Sequence, residues 1–383
     1  MIYYTFSVKI NVENFKEVKM KKIISLFLVI IIALFALVSC DGYYRPVESS
    51  DDESKTVIKL NFGDEVYEVK YEFYRALFLT LKGEVDGGDE SVWQSAEKDS
   101  YVEKVDELIF ERLTDIYAVF SLAKDVGIDV YSKDYDNSVL EIVKASVDGG
   151  IIADSEYSGF DGDYEAYLES LHEMNLNYSV QDLMIRYALA VDDIFYYYGG
   201  DVDNAAKPGA LNYTKEDVLE FYNSDECVRV YQLYLSKNRT SFTIESASAL
   251  RDRIAAKDSE SAVVATMIGS STYGDNIKDG MVIGKYNLDE FYYKELTDAA
   301  FALSYYETSP VIEISTAVDD GFFILYRTTK SAEHFESCYD DIASIYVDDV
   351  LGKMINDRAD ALLSTLLKTE AYAELNHANI SMD

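Results

Sequence analysis

The sequence has very few of the residues from which enzymes build metal sites, disulfide frameworks and acid–base centres. Its 383 residues include only 3 Cys, 3 His, 3 Pro and 1 Trp. A multi-ligand zinc site or a disulfide scaffold is therefore not expected. Positive charge is also scarce, because 34 Lys and Arg stand against 70 Asp and Glu, which gives a formal net charge of −36. This balance argues against a nucleic-acid partner, since contacts to phosphates need a basic face.

The chain is nevertheless rich in apolar and aromatic residues. Apolar residues make up 49% of it, and Tyr alone accounts for 33 positions. This content is too high for a disordered acidic chain and predicts a packed core. The length allows two or three domains. No Gly-x-x-x-x-Gly-Lys-Ser/Thr string occurs, so a P-loop is excluded, and we expect neither a cofactor nor a bound metal.

The N-terminal region has the pattern of a targeting segment. Two lysines precede an apolar run of 16 residues, 23–38, which suits a signal-peptide core better than a membrane span of about 20 residues. The run ends in Leu-Val-Ser-Cys40, which resembles a bacterial lipobox. The resemblance implies cleavage before Cys40, a lipid on its thiol and a place on the extracytoplasmic face of the cell membrane. The alternative is an uncleaved anchor with an incidental cysteine.

Residues 1–39 are accordingly predicted to be a signal peptide, with Met20 as a second candidate for the true start. Removing them takes away five Lys and two Glu, so the formal charge becomes −39. Residues 40–55 are polar and predict a lipidated, flexible tether. Cys227 and Cys338 remain beyond it, and the sequence leaves open whether they form a disulfide or stay as two free thiols.

Hydrophobic periodicity divides the rest of the chain into three parts. A short hairpin and then helical spacing occupy 56–200, and the Gly- and Pro-containing stretch 201–213 is typical of a linker. The stretch 214–330 alternates between strand and helix patterns in the order β-α-α-β-α-β-β, which predicts a compact α+β domain. The stretch 331–383 is helical again, and its long apolar face predicts packing back onto the first helical domain. The predicted fold class is therefore α+β and mostly helical.

Three segments of the central domain resemble parvulin-type prolyl isomerases. Residues 228–235 resemble the first parvulin strand, 296–303 the short helix that ends in Ala-Phe-x-Leu, and 321–325 the last strand. The hairpin and helix that begin the chain's folded part resemble the N-terminal chaperone domain of SurA/PrsA-type foldases. The resemblance implies a helical chaperone domain, split around an inserted parvulin-like domain, with the C-terminal helix returning to it.

The departures from the parvulin pattern concern the residues that orient its active site. Parvulins carry two facing His residues, and the equivalent positions here are Gln232 and Phe323. Phe301 matches the parvulin Phe that stacks on the proline ring, although an ordinary core role is the simpler interpretation of Phe301 and Phe323. Prolyl isomerisation involves no covalent chemistry, only stabilisation of a twisted amide, so an apolar pocket alone would give some acceleration.

These observations predict a membrane-anchored, extracytoplasmic foldase- or chaperone-like lipoprotein whose partners are unfolded or secreted polypeptides. Whether it is an enzyme stays open at this point. One alternative is an active peptidyl-prolyl cis–trans isomerase that works without the His pair. A further alternative, from another class, is a solute-binding lipoprotein, which would show alternating strand–helix units in two lobes.

Overall fold

A computed structural model describes residues 53–152, 155–157, 159–200, 209–237, 242–271, 279–286, 294–315 and 320–381. The predicted signal peptide and the lipobox cysteine Cys40 lie outside the described residues. Two compact units are formed, one from the chain up to Asp192 together with Ala359 onward, the other from Asp193–Arg358. Helices dominate and the sheets are small and antiparallel, so the predicted α+β, mostly helical fold class is confirmed.

The first unit begins with a hairpin and continues with helices. The strands are β1 (Thr56–Phe62), β2 (Glu65–Lys70) and, within a second small hairpin, β3 (Gly150–Ile152) and β4 (Ser155–Tyr157). The helices are α1 (Tyr71–Asp86), α2 (Lys98–Asp125), α3 (Lys133–Asp148), α4 (Tyr164–Glu173) and α5 (Tyr178–Gly199), with a 3-10 turn at Glu90–Gln94. Gly63 adopts a positive φ of 58° in the turn that joins β1 to β2, a conformation that glycine adopts without a steric penalty.

The core of this unit follows the helical spacing of its apolar residues. In α3, buried residues recur at Val139, Ile142, Val143 and Val147, which places them on one face. This face packs against Tyr167 and other apolar side chains of α4 and α5. Ser132 begins α3 as its N-cap, because its side chain accepts a hydrogen bond from the Tyr135 amide.

The C-terminal segment returns to the first unit and completes its sheet. Strand β9 (Leu367–Lys368) pairs antiparallel with β1, so the sheet order is β2-β1-β9, and a short helix α12 (Glu370–Ala373) and a 3-10 turn (His377–Asn379) follow. The Thr369 hydroxyl donates to the Thr56 carbonyl oxygen over 2.8 Å, and Asn61 donates to the Thr365 carbonyl oxygen over 3.2 Å. Residues about 300 positions apart are thus joined in one sheet.

The second unit is built on a four-stranded antiparallel sheet. Its elements are α6 (Lys215–Asn223), β5 (Cys227–Ser236), α7 (Ile244–Ala255), α8 (Glu260–Ile268), β6 (Met281–Gly284), α9 (Lys294–Ala302), β7 (Ile312–Ser315), β8 (Asp320–Thr328), α10 (Ala332–Ser337) and α11 (Tyr339–Leu363). The strand order is β6-β5-β8-β7. From β5 to β8 the elements follow one another in the order β-α-α-β-α-β-β that the periodicity predicts.

Side-chain alternation along β5 divides the sheet into two faces. Tyr231, Leu233 and Leu235 pack with α7 and α8 on one face. Val228 and Val230 pack with α9 on the other, which we call the α9 face.

The C-terminal helices differ from the prediction for residues 331–383. Residues 331–358 belong to the second unit, and only those from Ala359 onward belong to the first. The physical reason is that Phe335 and Ile342 are buried in one cluster with Val218 and Tyr222 of α6. The apolar face of this segment predicts burial, and for residues 331–358 the surface that covers it includes α6 of the second unit.

Candidate functional site

The three residues singled out by the parvulin resemblance lie on the same side of the sheet, the α9 face. Gln232 lies in β5 opposite Leu325 of β8, and Phe323 lies two residues before Leu325. Both Leu325 and Phe323 belong to apolar clusters of this face. Phe301 lies near the end of α9 and packs against the cluster that contains Leu325. The sequence thus identified positions that share one surface of the sheet, although their roles stay a prediction.

Phe323, which the resemblance equates with the second parvulin His, forms an aromatic pair with Tyr234. Phe323 is buried at 5% exposure and lies opposite Tyr234 in the β5–β8 register. The ring centroids of Tyr234 and Phe323 are 4.6 Å apart with an interplanar angle of 30°, so the two rings are in tilted contact, and such a contact adds to the energy of burial. Ile312 of β7 and Leu296 of α9 complete the cluster around them. Phe323 therefore acts as part of a packed core.

Gln232 and Phe301 are less deeply buried than Phe323. Both are half-buried. The end of α9 that carries Phe301 is fixed by Arg327, whose Nη1 donates to the carbonyl oxygens of Leu303 at 2.6 Å and Phe301 at 3.3 Å. These bonds satisfy carbonyl groups that a helix end leaves without intrahelical partners. The Phe301 side chain is accordingly held at the edge of an apolar surface.

A close approach of two strands shapes the beginning of β8. A Cβ atom built on Gly321 would lie 2.5 Å from the Leu235 carbonyl oxygen, far inside normal contact. Glycine at this position lets β8 run beside β5 and brings Phe323 into register with Tyr234. The glycine that precedes the two aromatic residues in the sequence is therefore required by the close approach of β5.

The histidines of the chain lie elsewhere and take no part in this face. His334 is buried in α10, where the Tyr222 hydroxyl accepts a hydrogen bond from the Ser331 amide and lies 3.0 Å from His334 Nδ1. Burial, with help from nearby Arg229, lowers the pKa of His334 below its usual value. His377 lies in the C-terminal segment and His172 in α4. The α9 face therefore offers an apolar, partly desolvated surface and no histidine for proton transfer.

The two cysteines beyond the predicted tether are both free thiols. Cys227 begins β5 and is fully buried, and burial raises the pKa of its thiol to about 11. A thiol with so high a pKa is a poor nucleophile at neutral pH. Across the part of the chain that the structure describes, no group of three or more His, Cys, Asp or Glu side chains is placed to hold a metal ion.

Exposed aromatic side chains are the features suited to contact with a polypeptide. Tyr131 is 61% exposed in the first unit, and Tyr305 and Tyr306 are 52% and 57% exposed in the second. In the run 195–198, Tyr196 and Tyr197 are exposed whereas Phe195 is buried. Tyrosine gives a large amphipathic contact area at a small cost in side-chain entropy. Within the described residues, no helix combines the length and the apolar content that crossing a membrane requires.

Two residues that matter for this architecture were missed in the sequence. Tyr234 stacks on Phe323, and its position two residues after Gln232 on an alternating strand was the available signal. Asp106 of α2 accepts a hydrogen bond from Lys368 over 2.6 Å and joins the two ends of the first unit. No local pattern signals a contact between residues so far apart in sequence.

Comparison with known proteins gave similarities in structure only. No family model matches the chain, and no curated protein matches its sequence. The chain is similar to foldase protein PrsA from Streptococcus pneumoniae, with 12% identity and a TM-score of 0.27, over 82% of this chain and 96% of that one. It is also similar to PrsA from Bacillus subtilis, with 14% identity and a TM-score of 0.24, over 70% of this chain and 87% of that one. A peptidylprolyl isomerase (PrsA) from Bacillus anthracis gives 13% identity and a TM-score of 0.23, over 65% and 96%.

Proposed function

We propose that this chain is a membrane-anchored, extracytoplasmic foldase- or chaperone-like lipoprotein that binds unfolded or secreted polypeptides. The observation that carries the proposal is the topology of the second unit. Its strand order β6-β5-β8-β7 and its β-α-α-β-α-β-β succession agree with the parvulin-type domain indicated by the sequence. This domain lies in the chain between two segments of one helical unit, as in a split chaperone domain.

The membrane anchor in this proposal is a lipid on Cys40. Its support is the signal-peptide pattern that ends in Leu-Val-Ser-Cys. Incorporation of labelled fatty acid into the chain in bacteria tests it, with Cys40→Ser as the variant and Cys338→Ser as the matched cysteine control. Loss of label in the first variant alone supports the anchor, and label that persists without Cys40 contradicts it.

Client binding is proposed to use exposed aromatic side chains on a strongly acidic body. A formal charge of −36 favours basic polypeptides and disfavours acidic ones through long-range attraction and repulsion. The test is suppression of aggregation by the full chain, in mild detergent, at a one-to-one ratio with an unfolded client. Two clients of similar size and opposite net charge serve as a matched pair. We expect stronger suppression for the basic client, and failure with both clients contradicts the proposal.

Prolyl isomerase activity is proposed to be weak or absent. Both parvulin His positions are replaced, and the Phe323 ring is packed against Tyr234. The remaining contribution would come from an apolar surface that desolvates the amide, at the edge where Phe301 lies. Isomerisation of proline tetrapeptides by the full chain measures this directly. A clear acceleration that Phe301→Ala abolishes would establish the alternative, a His-free isomerase.

A further inference from the structure

A second surface of the parvulin-like domain has the features of a binding pocket. A cavity of about 290 Å³ opens on the side of the sheet that α7 and α8 cover, which is the face opposite to Gln232 and Phe323. It lies where α7 ends, α8 begins and the segment before β7 passes over β8. We call it the Tyr306 pocket. Its volume suits one large amino-acid side chain rather than a drug-sized molecule.

The inner wall of the Tyr306 pocket is apolar and aromatic. Ile254, Val263 and Tyr326 are each at most 5% exposed and line it. The Tyr326 ring lies next to that of Tyr231, with centroids 6.4 Å apart. These side chains form a nearly closed floor, so an occupant contacts chiefly the residues of the rim.

The outer wall is formed by an exposed aromatic residue in an unfavourable backbone conformation. Tyr306 is 57% exposed and has a φ of +66°, which is uncommon for a residue with a side chain. Its amide donates to the Arg327 carbonyl oxygen over 2.8 Å, and Thr308 forms a bridge with Tyr326 just beyond. These bonds hold the backbone at Tyr306, and its largely exposed ring lies at the rim of the cavity.

Ionised side chains at the rim are mainly acidic. Glu260 and Asp258 line the cavity, against one lining cation, Lys257. The Tyr231 hydroxyl donates to Glu260 Oε1 over 3.0 Å, which orients this carboxylate, and Arg229 Nη2 lies 3.5 Å from the same hydroxyl. Burial raises the pKa of Tyr326, and the nearby charge of Glu260 raises it further. A carboxylate held beside aromatic faces is a setting that favours a cation over a neutral group.

We propose that the Tyr306 pocket takes the side chain of an arginine or a lysine from a bound polypeptide. The alkyl stem lies against the exposed Tyr306 ring at the rim, and the cation lies near this ring and the carboxylate of Glu260. The overall charge of −36 attracts such side chains to the surface. This inference rests on the proposed function, because a protein that binds unfolded polypeptides is exposed to the arginine and lysine side chains of its clients.

Short peptides test the pocket separately from chaperone activity. The probes are glycine-rich pentapeptides with a central arginine, or with citrulline, which has nearly the same shape and no charge. A lysine and norleucine pair repeats the comparison. Binding to the full chain in mild detergent is measured by titration calorimetry. We expect the charged peptide of each pair to bind at least about fivefold more tightly than its neutral partner.

Matched variants place the effect at the pocket. Glu260→Gln keeps an acceptor for Tyr231 but removes the charge, and Glu245→Gln is its control in the first turn of α7. Tyr306→Ala removes the rim, and Tyr305→Ala is its control, since Tyr305 is similarly exposed but does not line the cavity. We expect the two pocket variants to weaken binding of the arginine peptide by about threefold or more, and the two controls to leave it unchanged.

Other results overturn the inference in distinguishable ways. Equal binding of the arginine and citrulline peptides makes the pocket an apolar side-chain site. Equal losses in Glu260→Gln and Glu245→Gln show a diffuse electrostatic effect with no pocket. No binding of either peptide means that the pocket takes no basic side chain. Suppression of client aggregation, measured on the same preparations, reports independently whether the proposed function itself holds.

Discussion

The carboxylate of Asp106 joins the first helical part of the chain to its C-terminal end. Asp106 lies in α2 and is only 2% exposed. It accepts hydrogen bonds from the hydroxyl of Tyr74 in α1 over 2.8 Å, from the hydroxyl of Tyr372 in α12, and from Lys368 in β9 over 2.6 Å. Removing this single acceptor tests whether the returning segment is an integral part of the first unit.

We predict that Asp106→Ala destabilises the first unit by about 3 kcal/mol. Two largely buried hydroxyl groups lose a charged acceptor, and a hydrogen bond to a charged group contributes roughly 1.5–3 kcal/mol. Lys368 has a side chain that is 40% exposed, so solvent largely replaces its ion pair. His377 Nε2, at 3.0 Å from the Tyr74 hydroxyl, offers that group another partner and keeps the expected loss at the lower end.

The single tryptophan of the chain makes this loss measurable in the first unit alone. Trp93 is buried there, its Nε1–H donates to Asp86 Oδ2 over 2.7 Å, and its ring packs against Phe78. Its fluorescence during urea unfolding therefore reports the first unit, whatever the second unit does. The matched control is Glu107→Ala, an exposed acid at the next position of α2. Equal transition midpoints for the Asp106 and Glu107 variants would refute the reasoning.

Three further predictions concern protonation, thiol burial and strand contact. Burial lowers the pKa of His377 from its usual 6.5, so the unfolded state binds the proton more readily and the first unit loses stability as pH falls through the folded pKa. His377→Gln should therefore flatten the pH dependence of the Trp fluorescence midpoint, and an unchanged pH dependence would contradict this. Cys338 should react with a thiol reagent in the native chain, whereas buried Cys227 should react only when the chain unfolds. Mass spectrometry measures the rate of modification at each cysteine, and equal rates at the two cysteines would contradict this. Gly321→Ala should destabilise the second unit by about 2 kcal/mol or more, because the Cβ of the alanine would collide with β5. Calorimetry measures the thermal transition, and a transition unchanged from that of the parent chain would contradict this.

Local patterns in the sequence were sufficient to predict the order of elements in the second unit. Alternation along 228–235 identified β5, because every second side chain of a strand points to the same face of its sheet. The short hairpin predicted at the start of 56–200 is formed by β1 and β2, and the helical spacing predicted after it corresponds to helices such as α3. The parvulin resemblance, with its two facing His positions, implies that Gln232 and Phe323 lie near each other. In the sheet Gln232 lies opposite Leu325 and Phe323 lies opposite Tyr234.

Contacts between segments far apart in the sequence could not be predicted from local patterns. The apolar face of residues 331–383 predicts burial, but it does not say which surface covers it. Phe335 and Ile342 pack with α6, whereas Lys368 reaches Asp106, a residue 262 positions earlier. The strands of the small hairpin β3–β4 have three residues each, which is too short for any period to be recognised.

The interior of the candidate site also depends on tertiary packing. The sequence shows that two His positions of a parvulin are replaced, but it does not show what fills the space. Stacking of Phe323 on Tyr234 is a consequence of the β5–β8 register. The Tyr306 pocket likewise needs three separate segments to come together, and no motif in the sequence marks it.

The most direct test of the central claim is the affinity of the full chain for one polypeptide in two states. A small disulfide-bonded protein is folded when oxidised and stays unfolded when reduced and blocked, so the two ligands share one sequence. Binding is measured by fluorescence anisotropy with the chain in mild detergent. The account predicts saturable binding of the unfolded form and none of the folded form. Equal binding of both forms, or no binding of the unfolded form, would contradict it.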